Sequence, residues 1–267
     1  EKELTSLTTG LSKDIIDKII ECLSLKSRKV WTDIPSPFKS SDWQPWRFKR
    51  RYSLAYKPII FLSESDTYVI SPEHIKRAFF HLLRNAHEAT IDENHFQSKK
   101  MISWNGSQKA KTGLQFNTQV ANSFDAEDWH TEEEVKLTKI LNKKLKDFGD
   151  IDVLAWHKSK NIVLAIECKD LEMAMSQSDI ARQLYEFKGN INSKGKSDRL
   201  HKHIVRVDEL KIDISGLAKY VGKSAENIQV IGMVVFSSLV PMHFVSNIAN
   251  DIVFTDVDKL PNELLLL

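Results

Sequence analysis

The sequence predicts an α/β fold for the larger, C-terminal part of the chain, preceded by a smaller, mostly helical part that contains a hairpin. Apolar runs of strand length at 151–156, 162–166 and 228–236 alternate with segments of helical periodicity. Strands that alternate with helices are typical of layered α/β structure. We place the boundary after residue 106, which gives an accessory region at 1–106 and a core domain at 107–267.

Length and composition define the class of protein. The 267 residues suffice for a core domain with a smaller partner, and 42% apolar with 28% charged residues is typical of a folded globular chain. No apolar run approaches the roughly 20 residues of a membrane helix, and the first residues do not form a signal peptide, so we expect a cytoplasmic protein without membrane contact. Cys22 and Cys168 lie far apart and predict neither a disulfide framework nor a zinc site. A first residue other than Met is compatible with a piece of a longer chain.

The N-terminal elements are predicted from caps and periodicity. Ser12 is an N-cap for a helix whose apolar stripe is Ile15, Ile16, Ile19, Ile20 and Leu23. With an element at 4–8, this pair resembles a helix-turn-helix, but an acidic second helix is a poor reader of a polyanion. We therefore favour protein contact or simple packing over DNA reading there. Residues 31–56 are expected to be ordered but irregular.

A hairpin and another helix follow. Two β-like runs, 58–62 and 67–71, flank a polar turn. Ser71 and Pro72 then supply an N-cap and a proline at the first helical position. The histidines of this helix are spaced by seven and six residues, which is not an adjacent-turn metal pair, so they are expected at the surface: His74, His81 and His87.

Residues 91–106 are polar and irregular in pattern, which predicts a hinge before the core domain. A helix is predicted around Leu114, Phe116, Val120, Ala121 and Phe124. Apolar residues from 135 to 141 predict a strand that runs into a basic turn. Further on, 228–238 reads as a buried central strand and 252–255 as another.

The charged residues that carry chemistry lie on two β-runs. Residues 148–156 and 161–170 are joined by a polar turn at 157–160, which predicts an antiparallel hairpin. If Trp156 pairs with Asn161, Asp152 faces Ala165. Because side chains alternate along a strand, four charged side chains point to one face: Asp150, Asp152, Glu167 and Lys169.

Such a face calls for a counter-charge, because Ile162, Leu164 and Ile166 fill the opposite face and unpaired carboxylates are costly beside a hydrophobic strand. A hard cation such as Mg²⁺, with Mn²⁺ as a plausible substitute, binds oxygen ligands of the kind that Asp152, Glu167 and the carbonyl of Cys168 offer.

Lys169 could then orient or help deprotonate the attacking water and offset charge on a phosphate. The alternative is a structural salt bridge between Lys169 and one carboxylate. We favour the functional interpretation because the Gly-Asp-Ile-Asp segment, the apolar strand and the Glu-Cys-Lys segment occur together.

The segments Gly149-Asp150-Ile151-Asp152-Val153-Leu154-Ala155 and Ile166-Glu167-Cys168-Lys169 resemble the core of the PD-(D/E)XK, or restriction-endonuclease-like, nuclease superfamily. The resemblance covers roughly residues 107–260 and implies a central mixed sheet flanked by helices. It implies that Asp152 is the metal-binding aspartate, Glu167 the second carboxylate and Lys169 the catalytic lysine. Gln183 resembles the glutamine that many members place beside the active site, which makes it a further catalytic candidate.

The sequence departs from this family at one position. Members often carry a glutamate on the helix before the first core strand, where this chain has Asn117. Glu133 or Glu134 could substitute, although an exposed position on a strand is the more typical interpretation of both.

The expected activity is metal-dependent hydrolysis of nucleic acid, with DNA as the expected substrate, in defence, restriction or repair. A net charge of +2 does not identify the partner. Two basic runs, 136–146 and 188–206, are either solvated faces or phosphate contacts. The alternative function is a catalytically weak or inactive nuclease-fold module that binds nucleic acid or acts as a scaffold. Residues 1–106 could dock other protein subunits or further domains.

Overall fold

The computed structural model describes residues 11–30, 32–36, 38–44, 50–88, 90–91, 98–125, 127–142, 148–174, 176–193, 195–245, 248 and 251–266. The chain divides into two compact units, Glu1–Lys109 and Ala110–Leu267. Among the described helices, none combines the length and the apolar character that crossing a membrane requires.

The first unit contains a three-stranded sheet and helices. Its elements are α1 (Lys13–Leu23), β1 (Ser24–Lys26), a 3₁₀ turn (Ser40–Asp42), β2 (Ile59–Leu62), β3 (Thr67–Val69) and α2 (Pro72–His87). The sheet has the order β1-β2-β3, with β1 parallel and β3 antiparallel to β2. The predicted hairpin is therefore confirmed, whereas β1 was not predicted. Three residues directly after a helix give no strand signal of their own, and β1 exists because β2 pairs with it.

Both predicted helix starts in this unit are confirmed. The hydroxyl of Ser12 accepts a hydrogen bond from the backbone N–H of Ile15, and that of Ser71 accepts one from His74. These contacts satisfy backbone donors that a first helical turn leaves unpaired. The element expected at 4–8, and with it the helix-turn-helix comparison, lies outside the described residues.

The predicted hinge at 91–106 is wrong over its last part, because α3 (Lys99–Ala121) begins at Lys99. Residues 92–97 lie outside the described residues. The first turns of α3 lack an apolar stripe, so periodicity does not reveal them. A tertiary contact fixes them instead: Asn105 is fully buried and its amide donates to the carbonyl of Ile91 over 3.2 Å. The predicted helix around Phe116 and Val120 is the second half of α3.

The second unit is built on a five-stranded mixed sheet. Its strands are β4 (Trp129–Lys136), β5 (Asp150–His157), β6 (Ile162–Lys169), β7 (Gln229–Phe236) and β8 (Ile252–Asp256). They follow the order β4-β5-β6-β7-β8; the first two pairings are antiparallel and the last two are parallel. The strands predicted at 228–238 and 252–255 are therefore confirmed.

Helices cover both faces of this sheet. Those that follow β4 are α4 (Leu137–Ile140), α5 (Gln177–Glu186), α6 (Arg199–Ile212), α7 (Ile214–Val221) and α8 (Leu260–Leu265). One core includes Val207 and Leu210 of α6 with Ala165 of β6. The other includes Val120 of α3 with Ile166 of β6. The predicted α/β class, with a mixed sheet flanked by helices, is thus observed.

The strand predicted from 135 to 141 is misplaced. β4 ends at Lys136, and Leu137–Ile140 forms the short helix α4. Leu137, Ile140 and Leu141 are all buried, and their spacing of three and four is helical. β4 itself is an edge strand with the sequence Trp-His-Thr-Glu-Glu-Glu-Val-Lys, in which polar residues conceal the alternation.

The β5–β6 hairpin is confirmed, but its predicted register was wrong by two residues. Trp156 pairs with Val163 rather than with Asn161, because the connecting turn is longer than expected. A shift of two preserves the face of every side chain, since alternation has a period of two. The observed pairing of Val153 with Ile166 brings Asp152 opposite Glu167.

Candidate active site

Three carboxylates lie in a row across three adjacent strands. Pairs on either side, Glu133 with Val153 and Val135 with Ile151, place Glu134 of β4 opposite Asp152 of β5. The β5–β6 register places Asp152 opposite Glu167. Neighbouring strands are about 4.8 Å apart, so acidic residues at opposed positions are close in space.

The ammonium of Lys169 joins two of these carboxylates. It lies 2.6 Å from Glu167 Oε1 and 3.5 Å from Asp152 Oδ2, and it donates to the carbonyl of Cys168 over 3.0 Å. Since one nitrogen contacts both oxygens, these oxygens are at most about 6 Å apart, the sum of the two distances. That separation is short enough for both carboxylates to bind one cation through ligand distances of about 2.0 to 2.6 Å.

Helix α6 contributes a second cation. Arg206 donates to Glu167 Oε2 over 2.7 Å, and its other terminal nitrogen donates to the carbonyl of Asp150. The arginine side chain is 9% exposed. Arg206 belongs to the basic run predicted as a possible phosphate contact, and this part of the prediction is wrong because the guanidinium is buried against Glu167. Sequence reasoning missed the pair because its members are 39 residues apart.

A buried imidazole faces the same carboxylate. His203 of α6 is fully buried, and its Nδ1 lies 3.8 Å from Glu167 Oε2. Neither ring nitrogen makes a hydrogen bond of normal geometry to any described residue. Burial lowers the pKa of His203 to about 4, so the ring is neutral near pH 7.

The pKa values of the two central carboxyl groups shift in opposite directions. Burial, together with the charge of Glu167, raises the pKa of Asp152, although Lys169 and the backbone N–H of Cys168 oppose this effect. Burial would also raise the pKa of Glu167, but Lys169 and Arg206 outweigh it and hold the value below its ordinary range. Negative charge is therefore better compensated at Glu167 than at Asp152.

Glu134 extends the acidic row towards α3. Its side chain accepts a hydrogen bond from the amide of Asn117, which is itself buried. Desolvation, followed by the charge of Asp152, raises the pKa of Glu134. The residue is exposed, as expected from the sequence, but it is not an isolated surface residue. The neighbouring Glu133 accepts a hydrogen bond of 2.6 Å from the hydroxyl of Thr118.

Gln183 lies on α5, where it is buried. Its amide nitrogen donates to the carbonyl of Glu172 over 2.8 Å, and its amide oxygen makes no hydrogen bond to the described residues. The contacts observed in the described part of the chain do not connect Gln183 to Asp152 or Lys169. This side chain therefore holds the segment that follows β6.

The donor set fits a hard divalent cation in chemical type, since Asp152, Glu167 and the Cys168 carbonyl all offer oxygen. Within the described ranges, no group of three or more His, Cys, Asp or Glu residues is arranged to hold a metal ion. Two carboxylates and one carbonyl would therefore need water or a phosphate oxygen to complete a shell.

The remaining basic residues near α5 and α6 are solvent-accessible. Lys188 stacks over the ring of Tyr185 at 4.9 Å, and Arg199 pairs with Glu186 at 3.3 Å. Lys143, Lys144, Lys146 and Lys194 lie outside the described residues.

Comparison with protein families gives one result. Residues 1–260 match the model of a family described as Anti-phage protein Upx-like. Comparisons with curated proteins and with solved structures returned no match.

Proposed function

We propose that this chain, which belongs to the Upx-like family of anti-phage proteins, acts in defence as a divalent-metal-dependent nuclease with a restriction-endonuclease-like core. The family indicates the defence role, and the site supports the chemistry. The observation that carries the proposal is the position of the Lys169 ammonium between Asp152 and Glu167, at the point where β5 and β6 adjoin. The substrate class is nucleic acid, with DNA as the first candidate.

Asp152, Glu167 and the carbonyl of Cys168 would hold Mg²⁺ or Mn²⁺. When bound, such a cation polarises a phosphoryl oxygen and lowers the pKa of bound water. Asp152 is the more reactive of the two carboxylates towards a cation, because its charge is less compensated by protein groups.

Lys169 is the group suited to the phosphate and to the attacking water. Its ammonium can donate to a phosphate oxygen or orient a water molecule, and it offsets charge in an in-line displacement. Arg206 makes this role compatible with a stable fold. Because Arg206 neutralises Glu167 from α6, Lys169 can turn towards a substrate without leaving a buried carboxylate unpaired.

A second candidate is a nucleic-acid-binding or scaffold module with little or no turnover. It is favoured by the contacts of Glu167, both of whose oxygens already engage protein cations. It is also favoured by Asn117 in place of a helix glutamate. This module would bind DNA with salt-dependent affinity and would not cleave it.

The test is incubation of the purified chain with circular DNA, linear DNA and single-stranded RNA, in Mg²⁺, in Mn²⁺ and in a chelator. We expect metal-dependent cleavage that slows by at least about 100-fold in Asp152→Asn. Asp208→Asn, an exposed position on α6, is the matched control and should cleave like the wild type. Binding without cleavage would support the scaffold function, and equal rates in both variants would contradict the assignment of Asp152.

A further inference from the structure

We propose that Glu134, positioned by Asn117, is a third ligand of the divalent cation and acts together with Asp152. This inference rests on the proposed function and extends its site onto β4. It gives the chain a carboxylate on the strand in place of one on the preceding helix.

The first support is placement. Glu134 lies opposite Asp152 in a ladder that is paired on both sides of it. Directly opposed residues in antiparallel strands have Cβ atoms about 5 Å apart. Glu134 is exposed whereas Glu167 is 6% exposed, so Glu134 presents its carboxylate on the side from which a hydrated ion and a nucleic acid arrive.

The second support is how the side chain is held. Glu134 has a φ of 52°, a left-handed conformation that costs a non-glycine residue roughly 1 kcal/mol or more. Its carboxylate is fixed by the amide of Asn117, a buried residue of α3. An amide donor orients a carboxylate without neutralising it, so the negative charge stays available to a cation.

The third support is the balance of charge. Glu134, Asp152 and Glu167 carry three negative charges, and the cations bonded within this row are Lys169 and Arg206. One negative charge is left over, at the Glu134 end of the row.

The fourth support is His203, which makes the site more than a group of acids. This fully buried imidazole points Nδ1 at Glu167, yet neither of its nitrogens makes a normal hydrogen bond within the described chain. A buried polar group without a hydrogen bond costs free energy, so it is typical of a site that is completed by another species. Because His203 is neutral, it does not supply the missing positive charge.

The competing explanation is that Glu134 only tethers β4 to α3. Glu133 provides the comparison, because it is also exposed and also accepts a hydrogen bond from α3, through Thr118. Removing either carboxylate changes the net charge by the same amount and removes one tether. Only Glu134 lies opposite Asp152.

The experiment is titration of the whole chain with Mn²⁺, without nucleic acid, followed by calorimetry and by the electron paramagnetic resonance signal of free Mn²⁺. We expect Glu134→Gln to weaken Mn²⁺ binding by about tenfold or more, since even outer-shell partners of a metal contribute about 10- to 100-fold. Glu133→Gln should change it by less than about twofold. Both variants should unfold at nearly the wild-type temperature.

Equal affinities in the two variants would overturn the proposal, and so would a wild type that binds no Mn²⁺ at millimolar concentration. A parallel DNA cleavage assay separates this inference from the proposed function. Binding that depends on Glu134 without any cleavage supports the third ligand and contradicts the nuclease. Metal-dependent cleavage with no difference between Glu134→Gln and Glu133→Gln supports the nuclease and overturns the third ligand.

Discussion

Arg206 and Glu167 form a buried ion pair of 2.7 Å that ties α6 to β6, and the same guanidinium donates to the carbonyl of Asp150 on β5. We expect Arg206→Met to destabilise the fold by about 3 to 5 kcal/mol, because it leaves a buried carboxylate with one cation fewer. Urea denaturation measures this. Arg199→Met, on the same helix, breaks a half-exposed pair with Glu186 and should cost less than about 1 kcal/mol. Equal losses would show that Arg206 contributes only as a surface charge.

The stability of the wild type should fall as the pH drops from about 6.5 towards 4. The pKa of His203 is lowered to about 4 in the folded chain, so the unfolded chain binds a proton first and acid favours unfolding. The loss attributable to this group is on the order of 3 kcal/mol across the interval. His203→Leu should flatten the profile of unfolding free energy against pH. A variant profile as steep as that of the wild type would rule out His203 as the source.

Gln183→Ala should lower turnover more than DNA affinity. The substitution removes the hydrogen bond to the Glu172 carbonyl and so loosens the segment that follows Lys169, at a cost of about 1 to 2 kcal/mol. Single-turnover rates and equilibrium binding, measured side by side, separate the two effects. Gln177→Ala, at an exposed position of the same helix, is the control. A loss confined to affinity would assign Gln183 to substrate binding.

Neutralising exposed cations should weaken DNA binding and reduce its salt dependence. We expect the Gln variants of Lys188, Arg199 and Lys202 to lower the slope of log affinity against log salt. The decrease should be roughly one unit for each phosphate that no longer pairs with a cation. Lys219→Gln, on α7, should leave the slope unchanged. Mn²⁺ affinity should hardly change in any of them. An unchanged slope in all variants would mean that these residues are solvated faces.

Local pattern was sufficient to predict the hairpin that carries the site. Asp152, Glu167 and Lys169 lie on two strands whose alternation is visible in the sequence, and a register error of two residues did not move them to another face. The mixed sheet followed from the alternation of apolar strands with helices. These features depend on residues close to one another along the chain.

The features that the sequence did not predict depend on long-range contacts. β4 is a polar edge strand whose identity comes from pairing with β5, and the left-handed Glu134 within it has no signal in the sequence. Arg206 has the sequence context of a basic run because its partner on β6 is distant along the chain. The start of α3 has the composition of a hinge because a buried amide, Asn105, fixes it rather than an apolar stripe.

The central claim is that Lys169 acts on a phosphodiester rather than only on its neighbouring carboxylates. The direct measurement is the initial rate of DNA cleavage in Mg²⁺ for the wild type, Lys169→Met and Lys160→Met, with the folded fraction of each confirmed by its unfolding transition. Lys160 lies in the exposed turn of the same hairpin and serves as the matched control. The account predicts a loss of about 100-fold or more in Lys169→Met and wild-type rates in Lys160→Met. Equal rates for Lys169→Met and the wild type, or no metal-dependent cleavage by any folded form, would contradict it.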